Sequence, residues 1–100
     1  MNNLKMLLNK TGEPATLENL AEECAELAHA ALKLARIKRG ENPTPEKESD
    51  ATVKVHTELA DILAVIMVIM QADWFDSETV DSLTDMKLKR WAERLKADGN

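Results

Sequence analysis

The apolar positions of this chain recur at helical intervals from end to end. "NNLKMLLNKTG" predicts a short helix of two or three turns that closes at Gly12. "EPAT" follows as a connector, with Thr16 placed to cap the next helix. That helix is predicted over about 17–39. At 100° per residue, Leu17, Leu20, Cys24, Leu27, Ala28, Ala31, Leu34 and Ala35 form one broad apolar face. Glu22, Glu23, Glu26, His29 and Lys33 lie on the other side, and Gly40 supplies the stop. "GENPTPEKES" reads as a loop, since two prolines and its polarity oppose a regular element.

A third helix is predicted from a cap at Ser49 or Asp50 to about Ala72. Its second half is apolar all round, which predicts the central and most buried helix. "DWFDS" breaks it, and a last helix starts at Asp76 or Ser77 and runs to about Lys96. The pattern contains no internal repeat. It predicts one all-α domain over residues 1–100: two long antiparallel helices with a short N-terminal and a C-terminal helix.

Composition narrows the class further. Ala, Leu, Glu and Lys dominate outside the Val- and Ile-rich third helix, which favours helices over strands. A net charge of −5 and the lack of a long basic run argue against nucleic-acid binding. Cys24 is the one cysteine, so no intrachain disulfide forms; on the apolar face it reads as a small core residue. The N-terminus lacks the apolar core of a signal peptide, and the apolar run near residue 61 is shorter than the about 20 residues that span a bilayer. A cytoplasmic protein without membrane contact is expected. A chain of this length buries a modest core, so dimerisation is expected to complete it.

One residue departs from the apolar pattern. From Leu59 to Met70 every side chain is apolar except Asp61. An ionised carboxylate embedded in such a run needs compensation. Glu58 stands three residues before it, and "EECAE" on the preceding helix carries Glu22, Glu23 and Glu26. A spacing of three sets both members of a pair on one side of a turn. Two such pairs on antiparallel helices can face each other. Four converging carboxylates repel unless their pKa values rise or a cation neutralises them. Hard oxygen ligands without a thiolate pair suit Mg²⁺, with Mn²⁺ as the other candidate. Surface glutamates are ordinarily a solvated face; Asp61 is what favours the metal.

"EECAE" followed by "ELAD" resembles the EExxE…ExxD signature of the MazG-like all-α nucleoside triphosphate pyrophosphohydrolases. The resemblance runs from about Gly12 to Arg94, and "EECAELAHAALKLARIKRGENPTP" is similar to small MazG-like proteins. It implies cleavage of the α–β bond of a nucleoside triphosphate to a monophosphate and pyrophosphate. It further implies Mg²⁺ held by Glu23, Glu26, Glu58 and Asp61, and a homodimer or homotetramer. Glu22 would be a further ligand or would orient the attacking water. Two departures stand out. The spacing between the motifs is long and is taken up by the loop with Pro43 and Pro45, and "EPATLEN" lacks the glutamine with which members often touch the base.

A triphosphate needs cations besides the metal. Lys33 projects two turns from Glu26 on the same side, and Lys87 and Arg94 lie two turns apart beside Trp91. These three are the expected substrate-binding residues, although basic side chains near helix C-termini also complement the macrodipole. Glu26 and His29 make an ExxH pair as in di-iron bundles, but the third helix offers ExxD, so His29 is expected at the site edge. His56 is expected at the surface and Met67, Met70 and Met86 in packing. Trp74 and Trp91 suit either a subunit interface or a base. The alternative from another class is a non-catalytic helical interaction protein with a structural cation.

Overall fold

The computed structural model describes residues 3–41 and 46–99. It holds four helices: α1 (Asn3–Thr11), α2 (Glu13–Arg39), α3 (Glu48–Ile69) and α4 (Ser77–Ala97), with no strand among the described residues. The architecture is all-α, as the periodicity predicts. None of the described helices is long and apolar enough to cross a membrane.

The helix boundaries follow local chemistry, and three differ from expectation. Gly12, at φ 91°, separates α1 from α2. "EPAT" is the first turn of α2 and not a connector, because Pro14 occupies an N-terminal position where no amide is required. Thr16 therefore does not cap; it is buried, and its hydroxyl donates to the Gly12 carbonyl at 2.7 Å. At the other end Gly40 is left-handed at φ 72°. Its amide donates to Ile37 O and that of Glu41 to Arg36 O, both at 3.1 Å. Of the expected loop, Pro43 and Pro45 lie outside the described residues.

α3 starts at Glu48, before the expected caps Ser49 and Asp50. Lys47 precedes it without a side-chain cap, and Glu48 and Asp50 complement the dipole of the first turn. It ends at Ile69, three residues early, and turn bonds carry the chain through Ala72. Of the two expected starts, Asp76 caps α4 and Ser77 is its first residue; Asp76 accepts from the amides of Glu78 and Thr79 at 3.1 and 3.3 Å.

The packing of α2 on α3 has a seven-residue repeat. On α2 the sheltered positions include Thr16, Leu20, Glu23, Leu27, Ala30, Leu34 and Ile37; on α3 they include Ala51, Val55, Glu58, Ile62, Val65, Ile69 and Ala72 just past its end. Alternating steps of three and four are the signature of a two-helix seam. This contact face is rotated from the one expected on α2. Cys24, Ala28 and Ala31 are exposed, so Cys24 is not a core residue. α1 closes one end of the seam with Leu8, which is buried. Lys5 Nζ donates to Gln71 O at 3.1 Å, and Trp74 Nε1 donates to Glu13 Oε1 at 2.9 Å, tying the α1–α2 junction to the end of α3.

Much apolar surface stays uncovered. α3 is central but not wholly buried: Leu59, Leu63, Met67 and Met70 form an exposed stripe at steps of four, four and three. α4 is exposed along its whole length and packs against no other helix. Val80, Leu83, Leu88, Trp91 and Leu95 share about 140° of its circumference. Met67, Met70 and Met86, expected in packing, are exposed. The radius of gyration is 17.5 Å, against about 13 Å for a compact domain of this length.

Candidate metal centre

Two of the seam positions are carboxylates, and they create the site. Glu23 on α2 and Glu58 on α3 stand where the repeat calls for apolar residues, and both are half-buried. Asp61, three residues after Glu58, lies beside the seam on the same side of α3 and is exposed. Each of the three presents a carboxylate oxygen, and these oxygens all lie within 4.8 Å of one another.

Asp61 is not a buried charge. Its apolar neighbours in sequence surround α3 but do not bury its carboxylate, which faces water. The energetic difficulty is proximity to two other carboxylates, and it falls most heavily on Glu23. Partial burial pushes the Glu23 carboxyl above its ordinary range. The charges of Asp61 and Glu58 push the same way, as do a hydrogen bond that protonated Glu23 donates to Asp61 and the charge of Glu26.

No basic side chain offsets the cluster among the described ion pairs. Lys33 is 2.6 Å from Glu46, Lys38 3.3 Å from Glu48, Arg39 3.9 Å from Glu41 and Lys5 4.0 Å from Asp73. A divalent cation would supply the opposing charge. Opposite ligands on Mg²⁺ are separated by about 4.2 Å, twice the metal–oxygen distance. The spread of the three oxygens, up to 4.8 Å, is close to that span. An all-oxygen donor set excludes a preference for soft metals.

The other site residues expected from sequence are placed differently. Glu26 does not join the three; it lines an adjoining cleft of about 360 Å³ together with His29, Ala30, Lys33, Lys54 and Glu58. His29 is thus at the edge of the carboxylates. Glu22 is exposed, next to Glu23 in sequence. Lys87 and Arg94 are not beside the carboxylates of their own chain, because α4 touches neither α2 nor α3. They sit with Arg90, Trp91 and Glu93 along a wider hollow of about 610 Å³ on α4, built by one helix and open to solvent.

Sequence reasoning missed Lys54 and Glu46. Lys54 stands four residues before Glu58, and a spacing of four sets two side chains on one face as the spacing of three between Glu58 and Asp61 does. Glu46, between the prolines and α3, carried no such signal. The seam was legible too: writing α2 and α3 in steps of three and four exposes Glu23 and Glu58 as interruptions of one ladder.

Among protein families, the model described as "MazG nucleotide pyrophosphohydrolase domain" matches residues 11–94. No curated protein and no solved structure matches the chain.

Proposed function

The chain belongs to the MazG nucleotide pyrophosphohydrolase family, and we propose that it hydrolyses a (d)NTP at the α–β phosphoanhydride with a bound divalent cation. The observation that carries this reading is the convergence of Glu23, Glu58 and Asp61 within 4.8 Å in a chain of this family. These three would hold Mg²⁺, or Mn²⁺ in its place, with Glu26 at the rim of the adjoining cleft as a fourth oxygen donor. When bound, the ion supplies charge neutralisation at the phosphate oxygens and a more acidic water.

The chain's own groups do the rest. Glu22, exposed beside Glu23, accepts a hydrogen bond from the attacking water and orients it. The water oxygen attacks the α-phosphorus and gives its proton to the Glu22 carboxylate, the bond to the bridging oxygen breaks, and pyrophosphate leaves with the electron pair. Lys33 lies in the cleft that the carboxylates open into and holds the outer phosphates.

The active form is a homodimer or homotetramer. A second copy covers the stripes on α3 and α4 that are exposed here; contiguous apolar patches of this kind mark association surfaces. Lys87 and Arg94 fall within the α4 stripe, so association carries them to a neighbouring subunit's cleft and not to their own.

Chromatography of the products from a panel of common and modified (d)NTPs with Mg²⁺ tests the reaction. A nucleoside monophosphate and pyrophosphate are expected. A nucleoside diphosphate with orthophosphate as primary products overturns it.

A further inference from the structure

The cleft beside the carboxylates carries charge of both signs, and one of its two lysines is paired to an anion of the chain itself. Glu58 and Lys54 are one helical turn apart, about 6 Å along α3. Glu26 and Lys33 are two turns apart, about 10 Å along α2. The helices are antiparallel, so both lysines fall at the same end of the cleft they line with Glu26, His29 and Glu58. A polyphosphate lying along this cleft, with one phosphate at the carboxylates, has its far phosphate at the lysines.

That end is taken. Glu46 Oε2 is 2.6 Å from Lys33 Nζ, and the Glu46 side chain keeps only 21% of its exposure. Its carboxyl is held below the usual range by the Lys33 hydrogen bond first, and then by the charges of Lys33 and Lys54. One carboxylate thus lies under the influence of two lysines from two helices. A phosphate oxygen makes the same kind of bond to the same ammonium groups.

We propose that Glu46 is an internal anion that stands in for the terminal phosphate of the substrate, and that Lys54 joins Lys33 as the cation pair it gives up on binding. This rests on the pyrophosphohydrolase reading for the identity of the substrate, but the anion exchange itself does not need turnover. The competition sets substrate affinity: every bound polyphosphate displaces the Glu46 carboxylate from Lys33.

The test uses the full-length protein with Mg²⁺, inorganic pyrophosphate as probe in a calorimetric titration, and KM for the best (d)NTP. Glu46→Gln keeps the shape and removes the competing charge. It is expected to bind pyrophosphate roughly two- to fivefold tighter, the range in which partly exposed ion pairs act. KM should fall by a similar factor, without a rise in kcat. Lys54→Ala should weaken pyrophosphate binding by a like factor. Glu46→Gln added to Lys33→Ala should give less than its effect on the wild type, because the two share one interaction. A purely structural Glu46–Lys33 tie predicts that Glu46→Gln lowers the melting temperature and leaves pyrophosphate affinity unchanged; that result overturns the proposal. So does pyrophosphate binding by Lys54→Ala equal to wild type. Product analysis keeps the two readings separate. Tighter pyrophosphate binding by Glu46→Gln in a protein that hydrolyses no (d)NTP defeats the enzyme reading and leaves the anion exchange standing. Hydrolysis with unchanged pyrophosphate affinity does the opposite.

Discussion

Replacing Asp61 by Asn removes one negative charge from the cluster and keeps the side-chain shape. Asp61 is exposed, so no cavity opens and no packing is lost. The carboxylate oxygens lie within 4.8 Å of each other, inside the screening length of about 8 Å at physiological ionic strength. Their repulsion is therefore felt by the metal-free protein, and the Asn variant should melt at or above the wild-type temperature in chelator. Adding Mg²⁺ reverses the order. At 100 times its Kd a ligand specific to the folded state adds about 2.7 kcal/mol, on the order of 10–20 °C for a domain of this size. An amide is a neutral and weaker ligand. Loss of a mere outer-shell partner already weakens metal binding by about 10–100-fold. With affinity down 100-fold, the same Mg²⁺ concentration equals the variant's Kd and adds about 0.4 kcal/mol. Thermal melts of both proteins at one fixed protein concentration, in chelator and across a Mg²⁺ titration, read this directly. An Asn variant less stable than wild type in chelator, together with a wild type whose melting ignores Mg²⁺, would refute the reasoning and make Asp61 a structural residue.

Two further outcomes follow from the same geometry. The raised Glu23 carboxyl means that the folded metal-free protein binds this proton more tightly than the unfolded chain does. Its contribution is fully present below the ordinary value of 4.5 and is lost as pH rises through the raised one. Glu46 and Asp76, both lowered, act oppositely: their contributions are present above 4.5 and 3.8 and are lost as pH falls. Melting of the chelated protein should therefore rise modestly on acidification from neutrality towards about pH 5 and fall below it; a monotonic fall from neutrality contradicts a raised Glu23 carboxyl. Leu63→Asp and Leu83→Asp place a charge on the exposed stripes of α3 and α4, and light scattering after size-exclusion chromatography should show smaller assemblies than wild type. Unchanged mass for both means that neither stripe is an interface.

The helices were legible because their apolar periods are long and their stops are chemical: Gly12, Gly40 and Asp76 act where expected. Pro14 misled because a proline that interrupts a helix interior is at home in a first turn. The contact face of α2 was misplaced because the sequence offers more apolar positions than one chain can cover. Cys24, Ala28 and Ala31 are as apolar as the seam, yet they face outward. For the same reason the all-apolar half of α3 signalled burial that this chain alone does not provide. Of the expected ligands, Glu23, Glu58 and Asp61 are brought together by spacing and antiparallel packing. Glu26 is turned into the adjoining cleft, and the α4 cations have no path to the site within one chain.

Glu23 shows most directly what the seam gives up for the site. The positions before and after it on the ladder are Leu20 and Leu27, and a leucine between them would make the repeat continuous. Glu23→Leu removes a partly desolvated carboxylate whose protonation is favoured by its surroundings and adds apolar contact against the α3 seam. It also lifts one charge from Glu58 and Asp61. The chelated variant should therefore melt higher than wild type, by on the order of 4–8 °C, the shift of a modest stabilisation in a domain this size. Its melting should respond little to Mg²⁺, and hydrolysis should be lost, the trade expected where a functional side chain occupies a core position. Circular dichroism melts in chelator and in Mg²⁺, with the product assay on the same preparation, provide the readout. If the variant melts lower than wild type in chelator, Glu23 is held by a favourable partner in the metal-free fold. The seam would then be built around that contact, and the case for a carboxylate kept there for a cation would fail.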